Sequence, residues 1–110
     1  IAFLLRGDPA EAVQSLEKTV RLKPDYETAW NNLGVALKST GDLNGARDSF
    51  ARAIAIFPGY AEAYNNLGLT LKAMGDGAGA AEQFQQALRI SPDYGAAAQN
   101  LKEVRTPSGG

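Results

Sequence analysis

The chain has 110 residues and contains no cysteine and no histidine, and this double absence removes several kinds of chemistry. Without thiols there is no disulfide framework. Without thiols and imidazoles there is no Cys or His metal site and no thiol or imidazole catalysis. The lack of cysteine is equally compatible with a reducing and an oxidising compartment. We therefore expect no metal and no other cofactor.

The sequence also lacks a large excess of charge of one sign, and it lacks long apolar runs. Eleven Lys and Arg oppose 12 Asp and Glu, which gives a formal net charge of −1 at pH 7. No global field therefore attracts the chain to nucleic acid or to an anionic membrane. No uninterrupted apolar run exceeds the five residues of Ile1–Leu5, far short of a membrane span. We expect neither a nucleic-acid nor a membrane partner.

What the sequence does contain is a repeat of 34 residues. The stretch Trp30–Gly34 returns as Tyr64–Gly68, and 16 of the 34 positions are identical between residues 27–60 and 61–94. A fixed period in this range indicates a stack of supersecondary units rather than a fold around one central core.

Two helices are predicted in each repeat. Apolar residues at three- and four-residue spacing predict a first helix over about 28–40, which Gly41 and Asp42 end. A second helix is predicted over about 44–57, and proline at position 58 ends it. In the second repeat Gly79 falls inside the equivalent helix and is expected to weaken it.

Large and small side chains alternate along these helices, which predicts close helix packing. Small residues are expected where helices approach one another, and large ones are expected to fill the space between. Trp30 and Tyr64 are at packing positions, so we interpret them as core residues rather than as ligand-stacking platforms. In the first repeat the small residues are Gly34, Ala46 and Ala53, and the large ones are Trp30, Leu33 and Phe50.

The pattern Trp/Tyr-x-x-Leu-Gly-x-x-Leu, followed by Gly-Asp, Ala, Phe, Ala and Pro over 34 positions, resembles the tetratricopeptide repeat (TPR). The resemblance implies an all-α fold, a right-handed α-solenoid of antiparallel helix hairpins whose first helices line the concave side. It also implies a division of the chain. We expect a partial unit without the front of its first helix at 1–26, full units at 27–60 and 61–94, a capping helix at 95–105 and a flexible tail at 106–110.

Residues beside the apolar stripe of each first helix are predicted to face the concave groove and to bind a peptide there. They are Asn31, Asn32, Val35 and Lys38 in the first full unit, Asn65, Asn66, Leu69 and Lys72 in the second, and Gln99 and Asn100 in the C-terminal helix.

Three of these residues, Asn32, Asn66 and Asn100, follow one another at intervals of 34 residues. An asparagine side chain both donates and accepts, so it can pair with the backbone of an extended chain without reading its side chains. This register resembles the asparagine ladder in the TPR superhelix of O-linked N-acetylglucosamine transferase, which holds peptides by their backbone. The alternative is that these amides bond only to a nearby turn or to water.

Two further sets repeat in register. Lys38 and Lys72 could hold an acidic group, but we favour solvated lysines that face the C-terminal helix dipole. Tyr26, Tyr60 and Tyr94 each follow an inter-repeat proline by two residues, and we expect their rings to cover the turn with the hydroxyl at the surface.

The resemblance implies a non-catalytic scaffold that binds an extended segment of a protein partner in its groove. An alternative is a spacer or a self-assembling segment that forms a homo-oligomer by stacking through exposed apolar residues at its ends, such as Phe3 and Leu4. Another is the targeting arm of a larger enzyme. TPR arrays occur in the cytosol, the periplasm and organelles. We expect a cytoplasmic location, and the other compartments stay open.

Overall fold

The structure is a computed structural model that describes residues 9–105, and these residues form six α-helices and no strand. The expectations for Phe3, Leu4 and the tail 106–110 therefore fall outside the described residues. The helices are α1 (Pro9–Leu22), α2 (Glu27–Ser39), α3 (Leu43–Ile56), α4 (Ala61–Ala73), α5 (Gly77–Ile90) and α6 (Gly95–Arg105). The predicted all-α repeat fold is confirmed, and the helix boundaries in the first repeat agree to within one residue.

The turns inside the two hairpins α2–α3 and α4–α5 use the same chemistry. Gly41 and Gly75 have φ angles of +92° and +89°, which only glycine adopts without strain. The next residue begins the second helix: the Asp42 carboxylate accepts a hydrogen bond from the Gly45 backbone N–H at 2.9 Å. Asp76 accepts from Gly79 at the same distance.

Close approach of the helices inside each hairpin depends on one glycine and one phenylalanine. A Cβ atom on Gly34 would lie 2.6 Å from the Phe50 ring, and one on Gly68 would lie 2.5 Å from the Phe84 ring. Both rings are completely buried. The pairing of small with large residues predicted from the sequence is therefore confirmed.

Alanines and leucines complete the packing around these rings. Ala46, Ala53, Ala80 and Ala87 have no exposed surface, and Leu33 and Leu67 are buried beside them. Trp30 packs against the same core, and its indole N–H donates to the Pro24 carbonyl at 2.8 Å. It is a packing residue, as predicted.

The first helices of successive hairpins lie on the inner side of the stack. Within residues 9–105, α2 contacts α4 and α4 contacts α6 directly, whereas α1, α3 and α5 make no such contacts with one another. Helices that meet directly must lie at the smaller radius of a curved stack. The exposed strip of α2, α4 and α6 is therefore the concave face.

Candidate functional site

The concave face carries a continuous strip of exposed side chains from α2 to α6. Asn32 and Ser39 are exposed on α2, and Val35 leaves 46 % of its surface in solvent. Leu69 is partly exposed on α4. The strip combines amides with two aliphatic side chains, so it offers both hydrogen-bonding groups and apolar contact surface.

Two of the predicted groove residues do not face the groove. Asn31 is 1 % exposed and Asn65 is 6 % exposed, so the prediction that these side chains point into solvent is wrong. Consecutive residues diverge by about 100° around a helix, and each inner helix is flanked by another inner helix. Asn31 and Asn65 occupy that flank, while Asn32 and Asn66 lie one step further round.

The buried asparagines accept hydrogen bonds from groove asparagines of the next inner helix. The Asn66 side-chain N–H donates to Asn31 Oδ1 at 3.1 Å, and the Asn100 N–H donates to Asn65 Oδ1 at 2.9 Å. Each pair joins residues 35 positions apart. Of the predicted ladder, Asn66 and Asn100 are therefore tied to α2 and α4, while Asn32 has no side-chain partner among residues 9–105.

Tyr60 and Tyr94 belong to the same polar layer, which the sequence did not reveal. Burial raises the pKa of the Tyr60 hydroxyl, and hydrogen bonds from Thr28 and Asn31 partly oppose that rise. Burial likewise raises the pKa of Tyr94, and a hydrogen bond from Asn65 opposes it. Tyr26 is exposed, whereas Tyr60 and Tyr94 are partly buried beside the amides of Asn31 and Asn65.

The two groove lysines have different surroundings. Lys72 Nζ lies 3.4 Å from Glu103 Oε1, and Gln99 donates to the other oxygen of that carboxylate at 3.1 Å. The hydrogen bond from Gln99 and then the contact with Lys72 lower the pKa of Glu103. Lys38 has no acidic partner within the described part of the chain, so it is the uncompensated cation of this face.

Two open depressions lie beside the inner helices. One of about 290 Å³ lies between α1 and α2, with an apolar floor that includes Leu16 and Ala36 and a rim that includes Asn32, Val35 and Ser39. The other, about 350 Å³, lies between α5 and α6 beside Leu88 and Leu101, and Lys102 and Arg105 border it. Only the first adjoins the predicted groove residues.

Clusters of acidic side chains and long apolar helices would mark possible metal sites and membrane spans among residues 9–105. Residues 9–105 contain no group of three or more acidic side chains placed to hold a metal ion. None of the six helices is both long enough and apolar enough to cross a bilayer.

Comparison with known proteins places the repeat pattern in a family. A family model described as tetratricopeptide repeat matches residues 25–93, and a second, described as TPR repeat, matches residues 2–41. The TPR repeat-containing protein PA0015 of Pseudomonas aeruginosa is 40 % identical over 45 residues, which are 41 % of this chain and 43 % of that protein.

Two solved structures are similar over most of the chain. The TPR protein YrrB, described as having an unusual peptide-binding site, is 29 % identical with a TM-score of 0.84 over 86 % of this chain and 49 % of its own. A mutant of the Thermobaculum terrenum O-GlcNAc transferase is 28 % identical with a TM-score of 0.85 over 94 % of this chain and 20 % of its own. The chain spans less than half the length of each of these relatives.

Proposed function

This chain belongs to the tetratricopeptide repeat family, whose domains are protein-interaction scaffolds, and we propose that it binds an extended peptide along the concave face of α2, α4 and α6. The fold is typical of non-catalytic scaffolds. The single observation that carries the proposal is the strip of amide and aliphatic side chains left exposed on the inner helices, with Asn32 and Val35 among its exposed members.

The side chains of this strip favour recognition of the peptide backbone. Asn32, Asn66 and Asn100 recur once per inner helix, and adjacent helices pack about 10 Å apart. An extended chain rises about 3.3 Å per residue, so successive amides would meet every third residue or so of a bound peptide. Backbone contacts of this kind give affinity with little dependence on sequence.

Selectivity would come from the side chains between the amides. Val35 and Leu69 offer apolar contact, and the depression beside Val35 has room for a peptide side chain. Lys38 offers a positive charge without a partner in residues 9–105, which favours an acidic residue in the ligand near α2. The ion pair of Lys72 with Glu103 makes the α6 end of the groove less attractive to acids.

The similarity to YrrB supports this proposal, because that protein has a peptide-binding site on the same fold. The similarity to a segment of an O-GlcNAc transferase supports a related one, in which these repeats are the targeting arm of a larger enzyme. Both proposals assign the same face to the same kind of ligand.

The test is selection of 12-residue peptides from a random phage-displayed library on the immobilised chain, followed by calorimetric titration. The double variant Asn32→Ala/Val35→Ser changes two exposed groove residues and should weaken a selected peptide about tenfold or more. The matched control Asp48→Ala/Glu82→Ala changes exposed residues on the outer helices and should leave affinity unchanged.

Two results would contradict the proposal. Failure of the library to yield any binder would argue against a peptide site. Binders that ignore the groove variant but respond to the outer-helix control would move the site to the convex face. Alanine replacement of Asn66 or Asn100 is a poorer test, because it removes the donor that satisfies a buried Asn31 or Asn65 carbonyl and so disturbs the stack.

A further inference from the structure

The hydrogen bonds between successive inner helices fix the orientation of groove side chains as well as the spacing of the repeats. In each of the two, a buried asparagine accepts and a groove asparagine donates: Asn31 with Asn66, and Asn65 with Asn100. A solvated amide at a groove surface rotates freely, whereas one tied to a buried partner has a defined direction.

The geometry of these two hydrogen bonds defines their direction. Asn66 Nδ2 donates to Asn31 Oδ1 and Asn100 Nδ2 donates to Asn65 Oδ1, so both nitrogens point at the preceding inner helix. The Tyr60 and Tyr94 hydroxyls lie beside the same buried amides.

A carboxamide is planar, so a nitrogen turned toward one neighbour turns its oxygen away from that neighbour. Within residues 9–105 the side-chain oxygens of Asn66 and Asn100 accept no hydrogen bond. Two acceptors of the same orientation, one helix layer apart, therefore remain for a ligand. The Asn32 side chain makes no such hydrogen bond within residues 9–105.

We infer that Asn31 and Asn65 are positioning residues, which turn Asn66 and Asn100 so that each presents its carbonyl oxygen to a backbone N–H of the bound peptide. The inference rests on the proposed peptide site and specifies which backbone group of the peptide the site recognises. The peptide must offer N–H groups at two positions about three residues apart. A residue that lacks an N–H, such as proline, is excluded at both positions.

The first experiment observes the amides without any ligand. In the ¹⁵N-labelled full chain, the side-chain NH₂ groups of Asn66 and Asn100 should exchange with water at least several-fold more slowly than that of Asn32. Tyr60→Phe removes the hydroxyl that lies beside Asn31 and should speed exchange at Asn66, while exchange at Asn100 stays unchanged. Tyr26→Phe alters the equivalent exposed tyrosine and should change none of the three.

The second experiment uses a peptide selected from the 12-residue library and methylates its backbone nitrogens one at a time. Two positions about three residues apart should each lose about three- to tenfold in affinity, the range expected for one hydrogen bond. In Tyr60→Phe the loss at one of these positions should shrink, because its acceptor is no longer held in place. A purely structural role for Asn31 would lower stability without changing that position-specific loss.

Failures of the two ideas are distinguishable. A peptide that binds the groove but tolerates methylation at every nitrogen, or whose losses are the same in wild type and Tyr60→Phe, overturns the inference and leaves the peptide site standing. Equal exchange at Asn32, Asn66 and Asn100 in the free chain also overturns it. If no peptide is selected, the proposed function fails, and with it the role of these amides toward a ligand.

Discussion

At the scale of single residues, the closest packing in this protein is between a glycine and an aromatic ring. Gly34 and Gly68 stand where the Phe50 and Phe84 rings press on the facing helix, and any Cβ there would overlap the ring. Glycine lowers the intrinsic stability of a helix at these sites, but burial of the phenylalanine rings stabilises the hairpin by more than this cost. Because each ring is packed among buried alanines, it has little freedom to move aside and make room for an added Cβ atom.

We predict that Gly68→Ala lowers the free energy of unfolding by about 1–3 kcal/mol, the usual cost of overpacking a core. Urea denaturation followed by circular dichroism measures it. The control is Gly77→Ala in the same hairpin, where a Cβ meets no atom within 4 Å. That change should be neutral or stabilising by up to about 1 kcal/mol. Equal effects of the two substitutions would refute the overlap with Phe84.

At the scale of helices, each second helix of a hairpin begins with a capping aspartate and a glycine in contact with it. Asp42 and Asp76 cap α3 and α5, and the residue three positions later is glycine in both. A Cβ on Gly45 or Gly79 would crowd the capping carboxylate. Gly79, which is expected to weaken its helix, therefore lies directly beside the carboxylate that caps that helix.

We expect Asp76→Ala to cost about 1 kcal/mol, within the range of about 0.5–2 kcal/mol measured for lost N-caps. The loss should appear first as faster hydrogen exchange in the first turn of α5. Asp48→Ala provides the control, since Asp48 is an exposed carboxylate whose ion pair with neighbouring Arg47 should contribute less than about 1 kcal/mol. Unchanged exchange in α5 would mean that the carboxylate does not stabilise the helix end.

At the scale of the whole molecule, the last described helix departs from the pattern of the inner helices before it. Lys102 and Arg105 stand where α4 has Gly68 and Leu71. A lysine in the glycine position leaves no space for a facing phenylalanine, and two cations would have to lose their hydration if another helix covered them. This supports the proposed capping role of α6.

We therefore expect the chain to remain monomeric, with a constant mass by sedimentation equilibrium between about 10 μM and 1 mM. Lys102→Ala/Arg105→Leu makes the depression beside Leu88 and Leu101 apolar, and its average mass should rise with concentration. A mass that rises already in the wild type would instead favour the alternative of assembly through the repeat ends.

The sequence by itself determined the helices, their turns and the packing inside each hairpin. Those features depend on residues close in the chain or repeated at a fixed period, such as Gly41, Pro58 and the pairing of Gly34 with Phe50. They also sufficed to identify the family. Local conformational preference and a single apolar stripe contain all of that information.

Only the tertiary structure decided which polar residues of the inner helices face the groove. Asn31 and Asn32 are identical neighbours, repeated together as Asn65 and Asn66, and nothing within one helix distinguishes them. The difference arises because each inner helix is covered on its flank by the next, which buries Asn31 and pairs it with a residue 35 positions away. A helical pattern describes one stripe, whereas a helix inside a stack has a second buried side that only its neighbours define.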